Sequence, residues 1–435
     1  MSKKAKGTGS VILASSLGTI IDYYDLFIVS TASSLVWPYI FFVGLSPDVK
    51  AALSIITFGI IYVTRPIGAL IFGHFGDKIG RRDMLVWTLV LTAVGVGGIA
   101  ILPTASVIGT TASVTIIIAL RMLQGIGLGG EWAGASVFAT EFVANSRHRA
   151  FLTGWIQNGV NIGILMASGS FALISTVFSH VQLLDYAWRI PFAVGVIIII
   201  LAIFIRLKIT ESPLFQELKE RNMVERDPLI KVFKEGWKTI LLLLPTAFFI
   251  VGAPGIFVSG PYIIDFVTHE SHQISDASIS LAVTAASAAG ILFTIIGSLV
   301  GDRIGRRTSM ILSSLLVAVF LFPFYLLVRT LSYPLVVTGL VLLNSFYKLG
   351  DGVTPALFSE LFTTKYRYSG AGVAYQLGSL VLGILSVSLI PLLIAGKGLV
   401  TSLQYIVGLG VITAVLTAVT VYLLRETKDS ELVAT

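Results

Sequence analysis

Cysteine is absent from the 435 residues of this chain. Disulfide bonds, thiolate metal sites and cysteine nucleophiles are therefore excluded. Charge is also scarce, because Asp, Glu, Lys and Arg together make up 12% of the sequence, about half of their share in a soluble domain. The five histidines form no metal-ligand cluster and no Ser/His/Asp constellation, and the glycine run GIGLGG lacks the preceding strand of a phosphate-binding loop. The sequence therefore predicts neither an enzyme nor a metal site.

Long apolar runs occupy most of the sequence. Hydrophobic residues make up 55% of the chain, and its mean hydropathy is +0.91. A helix of about 20 apolar residues spans the hydrocarbon core of a bilayer, where only helices and closed barrels satisfy their backbone groups. The runs do not alternate as barrel strands do, so they predict an all-α polytopic membrane protein with twelve transmembrane helices. The predicted segments are 11–36, 51–72, 84–102, 112–140, 150–176, 188–207, 239–266, 277–299, 309–328, 335–358, 369–395 and 399–424.

Lysine and arginine fall mainly on one side of these segments. Twenty-three of the 30 basic residues lie on the side of the N-terminus and four on the other side. Cytoplasmic loops are enriched in Lys and Arg, so the asymmetry predicts a multi-pass protein with both termini in the cytoplasm, and we expect it in the plasma membrane (the cell inner membrane). The net charge of +7 then reflects topology, and no nucleic-acid partner is predicted. The first run is too long for a signal peptide and contains two carboxylates, so we expect it to remain as a helix.

The two halves of the sequence resemble each other. The motif GDKIGRR begins at Gly76 and GDRIGRR begins at Gly301. Further pairs recur at offsets of 218 or 219 residues: Glu141 and Glu360, Arg149 and Arg367, and Gln157 and Gln376. This repeat predicts two pseudo-symmetric six-helix bundles, residues 1–209 and 239–435. The charged segment 210–238 between them is predicted to be a cytoplasmic linker, formed either by short amphipathic helices or by a solvated loop.

Several motifs across the chain identify a family. They are DYYDLF (22–27), RPIGALIFGHFGD (65–77), RMLQGIGLGGEWAG (121–134), WRIPF (188–192), RLKITESPLF (206–215) and YRYSGAGVAYQLG (366–378). With them the chain resembles the major facilitator superfamily, and within it the metabolite:proton symporter branch. The resemblance implies a transporter that imports small organic acids or zwitterions, with the proton as coupling ion and no cofactor. We expect a monomer whose partners are a small-molecule substrate and the lipid bilayer.

Charged residues inside the predicted helices are candidates for the transport site, because ionised groups at bilayer depth are costly and mark ion or substrate pathways. These seven residues are Asp22, Asp25, Arg65, Arg121, Glu131, Lys348 and Asp351. Their net charge is −1 when all are ionised, which one proton would cancel. Asp25 resembles a first-helix aspartate of the sugar branch that pairs with a fourth-helix arginine, and Arg121 matches that arginine. The resemblance therefore predicts an Asp25–Arg121 pair, either as a switch that couples proton to substrate binding or as a static salt bridge.

These residues, with polar neighbours, give the predicted assignments. The proton-coupling candidates are Asp22, Asp25 and Glu131, and the substrate-binding candidates are Arg65, Arg121, Gln157, Asn161, Lys348, Asp351, Tyr24, Tyr375 and Gln376. The polar uncharged members could instead form interhelical hydrogen bonds.

The loops after each repeat motif predict a cytoplasmic gate made of ion pairs, as in the family. Its candidate residues are Asp77, Arg81, Arg82, Glu141, Arg149, Asp302, Arg306, Glu360 and Arg367.

The predicted function is proton-coupled uptake of a small organic carboxylate. Two alternatives stay open. A zwitterion symporter for a betaine or an amino acid would use acidic residues and the aromatic rings of Tyr24, Tyr262 and Tyr375 at the cationic end of its solute. A sugar carrier would need fewer buried cations.

Overall fold

The computed structural model describes residues 3–253, 267, 274, 276–384 and 399–434. Within these ranges the chain is all-α and forms twelve long helices. They are α1 (Lys3–Leu35), α2 (Pro47–Lys78), α3 (Arg81–Ile101), α4 (Thr110–Phe142), α5 (Arg149–Val177), α6 (Arg189–Leu207), α7 (Trp237–Ala253), α8 (Asp276–Ile304), α9 (Arg306–Arg329), α10 (Tyr333–Asp351), α11 (Arg367–Ile384) and α12 (Leu399–Tyr422). Among the described residues, nine helices are long and apolar enough to cross a membrane.

The helices form two bundles of six with the same internal packing. In the first half, α1 packs on α5, α2 packs on α4, and α3 packs on α4 and α6. In the second half, α7 packs on α11, α8 packs on α10, and α9 packs on α10 and α12. Each pairing in the first half thus has its counterpart six helices later. Between the halves, α2 packs on α11 and α5 packs on α8, which also correspond under the repeat.

Short helices connect or extend the long ones. They are Trp37–Ile40, Ala105–Ile108, His180–Gln182, Pro213–Glu220, Pro228–Lys231 and Thr354–Glu360, with π-helical turns at Leu183–Ala187 and Val232–Gly236. In the linker, the Ser212 hydroxyl accepts a hydrogen bond from the Phe215 amide and so caps the helix Pro213–Glu220. Leu214, Phe215 and Leu218 of this helix are buried. Of the two linker alternatives, the structure contains the amphipathic helix.

Glycines bring α2 and α4 into backbone contact. A Cβ atom on Gly125 would lie 1.9 Å from the Thr64 hydroxyl oxygen, and one on Gly129 would lie 2.0 Å from the Arg65 carbonyl oxygen. Only hydrogen fits at these two positions. The GIGLGG run therefore serves helix packing, which places Arg65 of α2 against the middle of α4.

The predicted helix boundaries differ from the structure at two informative places. The segment predicted at 335–358 is interrupted, because α10 ends at Asp351 and a separate helix begins at Thr354, with Pro355 in its first turn. Helix α2 continues past residue 72 to Lys78. The extra turns include Asp77, which is buried against the second half of the protein. Parts of the predicted segments 239–266 and 369–395, and Tyr262 with them, lie outside the described residues.

Candidate functional site

Asp25 of α1 is enclosed by partners from its own bundle. Its Oδ2 lies 3.0 Å from Nη1 of Arg121, and its Oδ1 accepts a hydrogen bond of 3.1 Å from Nε2 of Gln124. Arg121 also donates to the Thr57 carbonyl at 3.1 Å and to Oε1 of Gln124 at 2.6 Å. The Asp25–Arg121 pair expected from the resemblance is therefore present. All its hydrogen-bond partners belong to α1, α2 and α4 of the first half.

Glu131 of α4 is enclosed in the same way, by a partner that the sequence did not indicate. Its two carboxylate oxygens accept hydrogen bonds from the two Nη atoms of Arg206, and the Thr88 hydroxyl donates to Oε2 at 2.6 Å. Arg206 is 3% exposed near the end of α6. Arg206 lies inside the predicted segment 188–207 but was not among the residues expected at the transport site. With Arg206 included, the buried charges of the transport-site candidates sum to zero, rather than −1.

Lys348 and Asp351 of α10 neutralise each other. Nζ of Lys348 lies 2.6 Å from Oδ2 of Asp351, one turn away, and both side chains are almost fully buried. The ammonium also lies 5.2 Å from the centre of the Tyr347 ring. A substrate carboxylate at Lys348 would have to share the ammonium with Asp351.

Arg65 and Asp22 differ from these closed pairs. Arg65 is 4% exposed, and among the described residues no carboxylate oxygen lies within 4 Å of its guanidinium and no acceptor binds its Nε. Its Cζ lies 5.2 Å from the centre of the Tyr62 ring. Asp22 is 3% exposed, and its Oδ1 has no hydrogen-bond partner within the described part of the chain. These two groups are within electrostatic range of each other.

An aromatic stack joins the two halves beside these charges. The indole of Trp132 on α4 stacks on the ring of Tyr375 on α11, with centroids 3.6 Å apart and planes inclined by 12°. Phe358 meets both rings edge-on. The indole N–H donates to Oε1 of Gln157 on α5 at 3.0 Å. Trp132 was missed in the sequence, because a contact between the halves leaves no periodicity on one helix.

The other polar candidates separate into two groups. Asn161 is 2% exposed and its Nδ2 has no partner among the described residues, whereas Nε2 of Gln376 donates to the Gly129 carbonyl at 3.2 Å. Tyr24 points into the first bundle, where its hydroxyl donates to the Pro191 carbonyl at 2.8 Å and lies 3.3 Å from Ser170 Oγ. The Tyr24 hydroxyl is thus bound within the first bundle, and the assignment of Tyr24 to the substrate site stays a prediction. Adjacent residues on a helix are about 100° apart, so Tyr24 cannot share the direction of Asp25.

The two halves are locked at one end, which we call the basic face: the end with the loops after α2, α4, α8 and α10. There Asp77 of α2 accepts hydrogen bonds from the amides of Tyr368 and Ser369, at 3.1 and 2.8 Å, in the first turn of α11. Asp302 of α8 accepts from the amides of Ala150 and Phe151, both at 2.9 Å, in the first turn of α5. Each aspartate therefore caps a helix of the other half, where the helix dipole favours a negative charge.

Two glutamates complete this lock. Oε1 of Glu141 lies 2.9 Å from Nη1 of Arg367, and Oε1 of Glu360 lies 2.8 Å from Nε of Arg149. Both pairs join the two halves and both are buried. The arginines of the two repeat motifs lie next to these pairs. Arg81 contacts Asp77 at 3.0 Å and Glu141 at 3.4 Å. Arg306 contacts Asp302 at 3.3 Å and Glu360 at 3.2 Å. We call these eight side chains the closure network.

Arg82 is not part of the closure network, contrary to the sequence-based assignment. Its guanidinium is partly exposed and pairs with Asp83 at 2.6 Å. Its backbone amide instead donates to Glu211 at 3.1 Å. Burial raises the pKa of the Glu211 carboxyl above its usual range.

Glu426 has the corresponding role in the second half, where it accepts from the amides of Arg306 and Arg307 at 2.9 and 3.1 Å. Each glutamate thus caps the helix that follows a repeat motif. The motif glycines Gly80 and Gly305 have φ of +148° and +107°, and a Cβ there would lie 2.4 or 2.2 Å from the capping carboxylate. Glu211 and Glu426 each follow the last residue of α6 or α12 by four positions. This equal spacing is the sequence signal that could have identified the two caps.

Replacing Gly76 by Ala is expected to prevent closure of the basic face. The new Cβ would lie 2.1 Å from Cδ1 of Tyr368, whose hydroxyl donates to the Gly130 carbonyl at 2.8 Å and so fixes the ring. Helices α2 and α11 must then separate. The reporter is Ser369→Cys, at a residue that is buried in the closed structure. In the Gly76→Ala background this cysteine should react with a maleimide at least about tenfold faster than in the parent chain, which corresponds to a shift of about 1.4 kcal/mol in the opening equilibrium. Gly169→Ala, where a Cβ meets nothing within 4 Å, is the control and should leave the rate unchanged. Equal protection of the Ser369→Cys reporter with and without Gly76→Ala would contradict the prediction.

The chain matches two family models. Residues 11–238 match the family described as sugar (and other) transporter, and residues 253–434 match the major facilitator superfamily. In structure it is similar to the proton:xylose symporter XylE bound to 6-bromo-6-deoxy-D-glucose, with a TM-score of 0.80 over 99% of this chain and 98% of that one, at 17% identity.

Relatives in sequence include three proteins of Escherichia coli. The inner membrane metabolite transport protein YhjE is 33% identical over 97% of this chain and 95% of its own length. The shikimate transporter is 30% identical over 85% and 84%, and the proline/betaine transporter is 30% identical over 86% and 75%. The predicted all-α fold and the prediction that the chain is not an enzyme are confirmed. The chain belongs to the major facilitator superfamily of membrane transporters.

Proposed function

We propose that the protein is a proton-coupled symporter that takes up a small organic carboxylate by alternating access. The observation that carries this proposal is the free guanidinium of Arg65. Arg121, Arg206 and Lys348 each have a carboxylate partner, whereas Arg65 is buried without one among the described residues. A buried cation without a partner is costly, and a carboxylate is the ligand that a guanidinium binds in bidentate geometry. A solute carboxylate at Arg65 would supply the missing charge.

The charge balance supports the coupling of this solute to a proton. The candidate ionisable groups of the transport site sum to zero when Arg206 is included. A monovalent anion alone would leave an excess of −1 in a low-dielectric site, and a proton alone would leave +1. Bound together they restore neutrality. Burial of net charge is the largest electrostatic cost here, so the two are expected to move as a pair.

The closure network supports alternating access. Four of its contacts join one half to the other: the ion pairs Glu141–Arg367 and Glu360–Arg149, and the helix caps formed by Asp77 and Asp302. They must separate when the halves rock apart at the basic face. We infer that this face is cytoplasmic, because its loops carry most of the lysines and arginines.

A zwitterion is the second candidate solute. The Trp132–Tyr375 stack offers an aromatic surface of the kind that binds quaternary ammonium groups, and the Asp351 carboxylate of the second half is within electrostatic range of Tyr375. A betaine would place its carboxylate at Arg65 in the same way. The relatives include both a shikimate transporter and a proline/betaine transporter.

Uptake into proteoliposomes tests the proposal. Vesicles that contain the purified protein would be given an inward proton gradient, or in a second arm a sodium gradient, with shikimate, glycine betaine or xylose outside. Proton-driven accumulation of shikimate is expected. Accumulation of glycine betaine alone would select the zwitterion, and accumulation of xylose alone, or dependence on sodium, would overturn the proposal.

The variant Arg65→Gln should raise the KM for the accumulated solute. Loss of hydrogen bonds to a charged group costs about 1.5–3 kcal/mol, so an increase of about 10- to 100-fold is expected. The matched control is Arg221→Gln, which removes a surface arginine whose side chain is 59% exposed. An unchanged KM in Arg65→Gln would remove Arg65 from the binding site.

A further inference from the structure

Two of the three acidic transport-site candidates in the first half, Asp25 and Glu131, have both carboxylate oxygens bound. Both oxygens of Asp25 are bound, one by Arg121 and one by Gln124. Both oxygens of Glu131 are bound by Arg206, and the Thr88 hydroxyl adds a third contact. All these partners belong to the first half. Rocking of the two halves therefore leaves both clusters unchanged, and neither gains or loses a charge partner during the cycle.

Asp22 is the exception. Its side chain is 3% exposed, and its Oδ1 has no hydrogen-bond partner among the residues that the structure describes. The charged groups that act on it are Glu131 of α4, Arg65 of α2, Arg206 of α6 and Asp25 of its own helix.

The two cations near Asp22 differ in whether they already have a carboxylate partner. Arg206 is bound to Glu131, so Arg65 is the cation that remains available to pair with Asp22. From α5, which packs along α1, the neighbouring polar side chains Asn158 and Asn161 are uncharged. An ionised carboxylate without donors would be costly in this place, and the protonated acid removes that cost.

We propose that Asp22, rather than Asp25, carries the transported proton, and that Arg65 alternates between the solute carboxylate and the Asp22 carboxylate. The proposal rests on the proposed function for the role of the solute, and it assigns the proton independently of which solute is carried. In the loaded state Asp22 is the neutral acid, and Arg65 is free to bind the solute. When the solute leaves, the Asp22 O–H bond breaks, the proton passes to water, and the carboxylate becomes the partner of Arg65.

This exchange couples the two fluxes. A carrier without solute returns with Asp22 and Arg65 paired, so no proton is carried back. A solute can bind only after a proton has neutralised Asp22 and released Arg65. Neither the solute nor the proton then moves alone, since each single occupancy leaves one uncompensated buried charge.

Polar atoms without hydrogen-bond partners in the described part of the chain continue from Asp22 toward the basic face. On α1 they are the hydroxyl oxygens of Thr19 and Ser16, which lie three and six residues before Asp22 and therefore on the same helix face. On α5 they are both side-chain polar atoms of Asn158. Helix α1 begins at the basic face, so this row runs from the carboxyl to the side on which the proton would be released. Buried hydroxyl and amide groups that lack protein partners are the groups that ordered water satisfies, and water can relay a proton.

Infrared difference spectroscopy of the purified protein tests the assignment without any solute. The measured signal is the C=O stretch of a protonated, buried carboxylic acid, recorded as pH is stepped with protons as the only ligand. The band is expected in the wild type, lost in Asp22→Asn, and retained in the double variants Asp25→Asn with Arg121→Gln and Glu131→Gln with Arg206→Gln, which remove each pair without leaving a buried charge. Asp22→Glu keeps the carboxyl and should shift the band, which covers the case in which Asp22→Asn fails to fold.

The outcomes separate the two proposals. A band that persists in Asp22→Asn or disappears in the double variant Asp25→Asn with Arg121→Gln would overturn the assignment of the proton, as would a wild type without such a band at any pH in the series. Failure of shikimate uptake with the band lost in Asp22→Asn would overturn the proposed solute and leave the proton site in place.

Discussion

Replacing Glu360 by Gln is expected to open the basic face. The glutamate holds two arginines, Arg149 of the first half at 2.8 Å and Arg306 of its own half at 3.2 Å, and its side chain is fully buried. Removing one member of a buried ion pair costs about 3–5 kcal/mol, because the remaining charge stays desolvated. Opening the face brings both arginines into water and removes this cost. The variant should therefore shift the population from the closed to the open conformation.

Cysteine labelling measures this shift directly, since the natural chain contains no cysteine. Ser298 of α8 is 1% exposed and faces Gly154 of α5 across the interface between the halves. A Ser298→Cys reporter should react with a maleimide at least about tenfold faster when combined with Glu360→Gln, since each 1.4 kcal/mol is worth a factor of ten.

Two controls separate opening from unfolding. A Ser313→Cys reporter is buried within the second half, where the native hydroxyl donates to the Phe346 carbonyl at 2.7 Å, and it should stay protected. Glu217→Gln removes a partly exposed pair with Arg221 and should leave the Ser298→Cys rate unchanged, since surface pairs contribute about 0–1 kcal/mol. Unchanged protection of Ser298→Cys in Glu360→Gln would mean that the closure network does not hold the face shut.

The internal repeat is the reason that so much of the closure network was predictable. Two bundles that share a fold and meet along a pseudo-twofold axis present the same loops to each other, so Asp77 and Asp302 had to occupy equivalent places. The sequence could not show what each aspartate contacts. Both cap the first turn of a helix in the other half, and a backbone amide has no signature in the sequence.

The transport site was predictable in its members and less so in its pairings. Buried charges stand out in an apolar run, which identified Asp22, Asp25, Arg65 and Arg121. Arg206 was missed because an arginine at the end of an apolar run, next to a basic loop, has the same pattern whether it turns inward or outward. Its direction depends on Glu131, which is 75 residues away in the sequence. Such a pairing follows from tertiary packing alone.

The variant Arg121→Gln is expected to be strongly destabilised. It would leave the Asp25 carboxylate buried with Gln124 as its one remaining donor, at a cost of about 3–5 kcal/mol. Asp25→Asn should destabilise for the opposite reason, since Arg121 would then lack a counter-charge. The double variant Asp25→Asn with Arg121→Gln removes both charges and keeps the approximate volume. Its melting temperature in detergent should lie closer to that of the wild type than either single variant does.

Transport by this double variant decides whether the Asp25–Arg121 pair is a static clamp or a switch. All hydrogen-bond partners of the pair lie in the first half, so it keeps its contacts while the halves rock, and a neutral replacement should retain proton-driven accumulation of the solute. Glu217→Gln with Arg221→Gln removes an exposed pair and gives the baseline for melting and uptake. A double variant that melts like the wild type yet accumulates nothing would return the coupling role to Asp25. Retained accumulation would leave Asp22 as the acidic group of this helix whose charge must change during the cycle.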